Sequence, residues 1–210
     1  MRDATRKNGG FNMRMKGFWL GLAVGTIFTC LLSQWVFSAS SKGIEPPRGI
    51  SPDIVAGYIH SVVEADRTFY TREIVERMQR RGLVHASEHW KESGDLPLPA
   101  QFVLEAGRLI AQQPNGIQFR LISSWPINGR NSPTTEFERT ALTEILGKTD
   151  RPYTAMTTVG GARVFQALYA DKAVSQLCAD CHNGHVKSPK RDFRAGDVMG
   201  GILLTIPLPQ

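Results

Sequence analysis

Two thiols and an imidazole stand together in Cys178-Ala179-Asp180-Cys181-His182 of this 210-residue chain. A C-x-x-C pair followed at once by histidine is the spacing of covalent haem attachment. Each sulfur can form a thioether to one haem vinyl group, and the adjacent imidazole is then held where it can bind iron. Two other chemistries use a C-x-x-C pair. A redox dithiol sits best beside a βαβ pattern and leaves the histidine unexplained. A zinc site needs two more ligands, and the third cysteine, Cys30, lies far away in an apolar run. The reading adopted is one haem c, with Cys178 and Cys181 as attachment points and His182 as axial iron ligand.

Haem c is attached outside the cytoplasm, and the N-terminal part agrees with export. Residues 17–37 form an uncharged, mostly apolar run long enough to cross a bilayer once. Arg2, Arg6, Lys7, Arg14 and Lys16 precede it against Asp3 alone, which sets the N-terminus in the cytoplasm. Trp19 and Trp35 stand near its ends as interfacial anchors. Phe37-Ser38-Ala39-Ser40 offers small residues to a signal peptidase, but the run is longer than the usual signal core, so a retained anchor is expected. The expected organisation is a basic cytoplasmic arm (1–16), a transmembrane helix (17–37), a linker rich in proline and glycine (38–50) and a periplasmic domain (51–210). The protein would then be single-pass in the cytoplasmic membrane. Gly17, Gly21 and Gly25, continued by Thr29, make a groove for another membrane helix, in a homodimer or a larger complex. Cys30 reads as a small apolar residue of that helix. The net charge of +6 falls partly in the arm, where it meets anionic lipid. No nucleic-acid partner is expected.

The elements that must position the motif follow from periodicity and punctuation. Ser51-Pro52 opens a helix to about Arg81, closed by Gly82, with an apolar repeat through Ile54, Val55, Tyr58, Ile59, Val62, Val63, Phe69, Ile74 and Met78. A loop carries His85, His89 and Trp90. A second helix covers 99–113, and Ile117, Phe119 and Leu121 alternate along a strand. Thr135-x-x-Glu138 has the form of a capping box for a helix to Leu146. Segments 153–158 and 163–170 flank Gly160-Gly161 as a hairpin. A short helix over 172–178 is expected to present the motif, and 198–206 to close the sheet. Helices first and strands late predict an α+β domain, an antiparallel sheet with helices packed on it.

The exported part resembles the bacterial c-type haem domain with a PAS-like fold, found before histidine kinases, cyclases and chemoreceptors and as stand-alone monohaem proteins. The resemblance rests on Pro97-Leu98-Pro99-Ala100-x-Phe102, Arg120-x-x-Ser123-x-x-Pro126 and Phe137-Glu138-x-x-Ala141-Leu142. It is strongest in Cys178-x-x-Cys181-His182-Asn183-x-His185-x-x-Ser188-Pro189-Lys190-x-Asp192 and Gly196-Asp197-Val198-x-Gly200. It implies a haem between sheet and helices, bound to iron by His182. Some stand-alone members use a cysteine as second ligand, at a position near Gln101 here. Met199 stands where the family commonly has arginine, and Phe193 where tryptophan is frequent.

The sixth ligand is therefore open from sequence. Met199 is the candidate distal ligand, since methionine opposite histidine is a cytochrome c pair; a core methionine is the competing reading. His60, His85 and His89 read as surface or hydrogen-bonded histidines. His185, Arg120, Arg163 and Lys190 are candidates to meet haem propionates. No nucleophile, acid pair or metal cluster argues for an enzyme. Two functions are weighed: electron transfer by a membrane-tethered cytochrome with an unidentified redox partner, and haem-based redox or gas sensing through a signalling partner. No kinase, cyclase or coiled-coil output sequence follows the last strand, so electron transfer is expected.

Overall fold

The computed structural model describes residues 49–209. The basic arm, the membrane-length run with Gly17, Gly21, Gly25 and Cys30, and most of the linker lie outside the described residues. Among the described residues, no helix is long and apolar enough to cross a membrane.

Helix α1 spans Pro52–Phe69, with proline in the first turn where its missing N–H costs nothing. Ser51 precedes it in extended conformation but makes no side-chain cap bond. The expected continuation to Arg81 is real but not uniform. A π-helical stretch, Tyr70–Val75, separates α1 from α2 (Glu76–Arg80). Thr71 lies buried there, and its hydroxyl donates to the Arg67 carbonyl at 2.8 Å. Two short strands, β1 (Ala86–Ser87) and β2 (Leu96–Pro97), pair in parallel around α3 (Trp90–Ser93). Tyr70 stacks on Phe102 at 4.5 Å and donates to the Pro97 carbonyl at 2.7 Å. Burial pushes its hydroxyl up to about 12. The π stretch thereby ties the first helix to this loop.

Helix α4 is Pro99–Ile110 and leads into β3 (Gln118–Ile122). Helix α5 is Glu136–Gly147, with the Thr135 hydroxyl accepting from the Glu138 N–H. The Glu138 carboxylate does not complete a capping box. It turns instead to the Thr134 N–H at 2.6 Å, the Thr134 hydroxyl at 3.0 Å and Arg120 at 2.9 Å. β4 (Tyr153–Val159) and β5 (Ala162–Lys172) form the expected hairpin, helix α6 is Gln176–Gly184, and β6 is Val198–Pro207. The sequence expectation of a helix over 172–178 is corrected. Lys172 still pairs in β5, and the whole C-x-x-C-H motif lies within α6.

The sheet order is β3-β6-β5-β4, antiparallel throughout, so the domain is α+β. Alternation sends Phe119, Leu121, Phe165, Ala167, Ile202, Leu204 and Ile206 to one face, under Ala56 of α1 and Val103 of α4. Ile122, Leu168 and Leu203 point the other way, under Ala141, Leu142 and Ile145 of α5. A third cluster of Ala173, Ala179, Phe193 and Met199, at the end of the sheet, supports α6.

Two glycines set the approach of β6 to its neighbours. A Cβ at Gly200 would press on the Ile122 carbonyl oxygen, and one at Gly201 would meet Leu168 Cδ1 at 2.6 Å. We expect Gly200→Ala to lower stability by about 1–3 kcal/mol, the usual cost of overpacking against backbone. Urea unfolding of the purified protein would show this as an earlier midpoint with an unchanged slope.

Candidate haem site

Cys178, Cys181 and His182 fall at i, i+3 and i+4 of α6, so one helix face carries all three. A nine-residue helix is too short to hold itself together. Its supports come from the segment that follows. The Asn183 amide donates to the Phe193 carbonyl at 2.8 Å and accepts from the Phe193 N–H at 2.9 Å. Before the helix, the Ala173 N–H donates to Asp197 O at 2.9 Å and the Gly196 N–H donates to Ala173 O at 2.8 Å. Phe193 is buried and meets the His182 ring edge-on at 5.9 Å.

The motif face opens on a cavity of about 800 Å³, walled by α1, α4, the end of β3, the 125–131 loop and β6. That falls within the roughly 300–1,000 Å³ of cofactor and ligand sites. Leu104, Leu121 and Ile122 line it beside Arg67, Asp171, Arg130 and Lys187. Five buried polar atoms find no hydrogen-bond partner among the described residues. Four of them, Arg67 Nε, Gln79 Oε1, Asp171 Oδ1 and His182 Nδ1, belong to residues lining this cavity. Buried polar atoms are rarely left unpaired, so their concentration among the lining residues marks a place shaped around a polar-edged group. His182 Nδ1 is the enclosed nitrogen. Nε2 is the nitrogen left for iron.

The electrostatics separate the readings of the C-x-x-C pair. Burial, then the Cys178 thiol and the Glu88 carboxylate, push the Cys181 thiol up. A reactive dithiol needs the opposite shift. Burial lowers the His182 pKa, with Asp171 acting upward and His185 and Arg67 downward, so the ring is held neutral, the form that binds metal. Among the described residues there is no group of three or more His, Cys, Asp or Glu side chains placed to hold a metal ion. An apolar slot with a neutral imidazole, two thiols on one helix face and cationic side chains at its wall fits a haem.

Residues 53–207 match the sequence profile of the Tll0287-like family. The chain belongs to that family. It also aligns with the crystal structure of the cyanobacterial haem protein Tll0287 at 17% identity and TM-score 0.45, over 76% of this chain and 98% of that one. No curated protein matches it.

In this member of the Tll0287-like family, the other residues singled out by sequence divide sharply. Met199 lines the cavity but is buried in the cluster with Ala173, Ala179 and Phe193, against the base of α6. Gln101 lines it too, with its amide committed: Oε1 accepts from the Leu98 N–H at 3.1 Å and Nε2 donates to Glu88 O at 2.8 Å. His89 and His185 reach the cavity, and His185 Nε2 sits 2.9 Å from Glu88 Oε1. His60, His85, Arg120, Arg163 and Lys190 are not among its lining residues. Arg120 is taken by Glu138 at 2.9 Å, and Lys190 lies over the Phe193 ring at 4.8 Å. His60 stacks on Tyr169 at 3.9 Å.

The sequence reading missed Arg67 and Asp171. Arg67 Nη2 lies 2.7 Å from Asp171 Oδ1 without hydrogen-bond geometry, and it donates to Lys172 O at 3.2 Å. Burial lowers the Arg67 pKa, but the Asp171 and Glu64 carboxylates outweigh it, and the net shift is upward. The signal was present: at helical spacing Arg67 falls on the same arc as buried Ala56 and Thr71, not on the solvent arc.

Two outcomes follow. Asp171→Ala leaves a buried guanidinium without its partner and should cost about 3–5 kcal/mol, against well under half of that for Glu64→Ala at the half-exposed end; denaturant midpoints of the two variants compare them. His60 gives a pH signature. Burial lowers its pKa, with Asp171 opposing and Arg67 assisting. The neutral ring is thus favoured in the folded state. Its contribution is complete above the ordinary value of 6.5 and lost as pH falls through the lowered one. His60→Phe should therefore flatten the decline in melting temperature below about pH 6.5.

Proposed function

We propose that the chain is a membrane-anchored monohaem c-type cytochrome of the cytoplasmic membrane, with its haem domain in the periplasm, working in electron transfer alone or in a membrane complex. The observation that carries the haem assignment is the placement of Cys178, Cys181 and His182 on one face of α6, opening on a cavity whose lining residues include Arg67 Nε, Gln79 Oε1 and His182 Nδ1 without hydrogen-bond partners. Cys178 and Cys181 would hold the two thioethers and His182 would give Nε2 to iron. Arg67, Arg130 and Lys187 supply cations for the propionates. Leu104, Leu121 and Ile122 keep water from the ring. Haem bound there supplies a one-electron couple whose potential is set by the second axial ligand and by burial. The anchor and the outward orientation rest on residues 1–37 and their charge pattern.

A second reading, redox or gas sensing through a partner, is favoured by one observation. Met199 packs against the α6 side of the site, and Gln101 spends both ends of its amide on backbone. Of the residues lining the cavity, His89 and Met199 carry the donor atoms best suited to a second haem ligand.

The covalent assignment is tested on denatured protein, which should keep haem stain and gain the mass of one haem. Cys178→Ala with Cys181→Ala should remove both, and haem retained by that variant, or stripped from the wild type by acid-acetone, refutes it. The choice of function turns on carbon monoxide. A carrier with both axial positions filled resists the gas when ferrous, and either Met199→Ala or His89→Ala should abolish that resistance and the low-spin spectrum. Ready binding by the wild type, unchanged in both variants, transfers the conclusion to sensing.

A further inference from the structure

Helix α1 turns Ala56 and Arg67 inward, yet its outward face is not polar. Ile54, Tyr58, Val62 and Phe69 are exposed at 45%, 66%, 61% and 62%. Ser61 and Ala65 lie exposed between them. At 100° per residue these six fall within an arc of about 100°, opposite the buried face. No charged residue interrupts the row. Other exposed large apolar residues, such as Leu109, Met156 and Val186, are dispersed over different elements. Scattered apolar side chains need no explanation, but a contiguous row marks an interaction surface.

We propose that the outer face of α1 pairs with the same face of a second copy of this chain. Three features favour that occupant. The row is straight over an 18-residue helix, about 27 Å at 1.5 Å per residue, and can oppose itself about a twofold axis. Ser61 and Ala65, small and central, leave room for two backbones to approach. The chain outside the described residues ends at residue 48, immediately before Ile50 and α1, and it carries the row Gly17, Gly21, Gly25 at the same four-residue repeat. Two copies anchored in one bilayer would meet at high effective concentration. The face is also poor in the charges and hydrogen-bonding groups by which an unlike partner would be selected. The proposal shares the anchor with the proposed function and is independent of the haem.

The test uses the full-length protein in its native membrane, with Cys30→Ser as background. Ser61→Cys should cross-link two copies under mild oxidation, giving a band of twice the chain mass on a non-reducing gel. Thr158→Cys, exposed on β4, should not. Adding Tyr58→Glu and Val62→Glu should reduce the Ser61→Cys dimer by at least about tenfold, because four carboxylates would face each other unpaired. An unchanged urea midpoint shows that these variants fold. The proposal is overturned if Ser61→Cys stays monomeric, cross-links no better than Thr158→Cys, ignores the added glutamates, or is captured only by a different protein. Membrane fractionation of the same samples reports separately on the anchor, so its failure is distinguishable from failure of the pairing.

Discussion

Everything at the cavity depends on how α6 is hung. The helix is too short to persist by its own hydrogen bonds, and its three reactive side chains are useful only if they face the same way. The reciprocal amide pairing of Asn183 with the Phe193 backbone fixes its C-terminal end. The exchange between Ala173 and the Gly196-Asp197 turn fixes the chain that enters it. Gly196 has φ +90, which a residue with a Cβ rarely adopts, so the turn that closes this exchange asks for glycine. The same turn then feeds β6, the central strand beside β3 and β5. The motif is thus bolted to the middle of the sheet.

The polar part of the cavity lining is built on a costlier principle. Burying Arg67 and Asp171 against each other is at best a small net gain, because both lose water. Leaving Arg67 Nε, Gln79 Oε1 and His182 Nδ1 without hydrogen-bond partners adds a further penalty. Such a wall makes sense when a bound group completes it. Filling the cavity would restore partners to polar edges and cover the apolar side chains between them. Stability of the domain and occupancy of the site are therefore linked.

The fold and the motif were unequally legible in the sequence. Periodicity gave α1, α4, α5 and the β4-β5 hairpin, since each has one face committed to a core. It misplaced α6, because Ala170-Asp171-Lys172 carries no punctuation and the strand runs on until Ala173 turns away to pair with Gly196-Asp197. It gave no hint of the π stretch, where the Thr71 hydroxyl bonds back to the Arg67 carbonyl four residues earlier and Tyr70 reaches Pro97 in a different element. For the site, C-x-x-C-H was readable because its chemistry is local. The lining was not: Arg120 and Lys190 looked available and are engaged elsewhere, whereas Arg67, not singled out from sequence, is buried in the lining. The Glu138 position shows the same limit, a capping-box spacing whose carboxylate serves Thr134 and Arg120 instead.

Helix α1 joins these two levels. Its inner arc brings Arg67 to the cavity wall, and its outer arc carries the row from Ile54 to Phe69. The two arcs belong to one α-helix up to Phe69, and the π stretch begins at Tyr70. A π segment inside a helix marks a place where register can change locally. Residues beyond Tyr70 stay tied to Phe102, Pro97 and Val174. The same helix thus carries a charged residue of the cavity lining and the exposed apolar row.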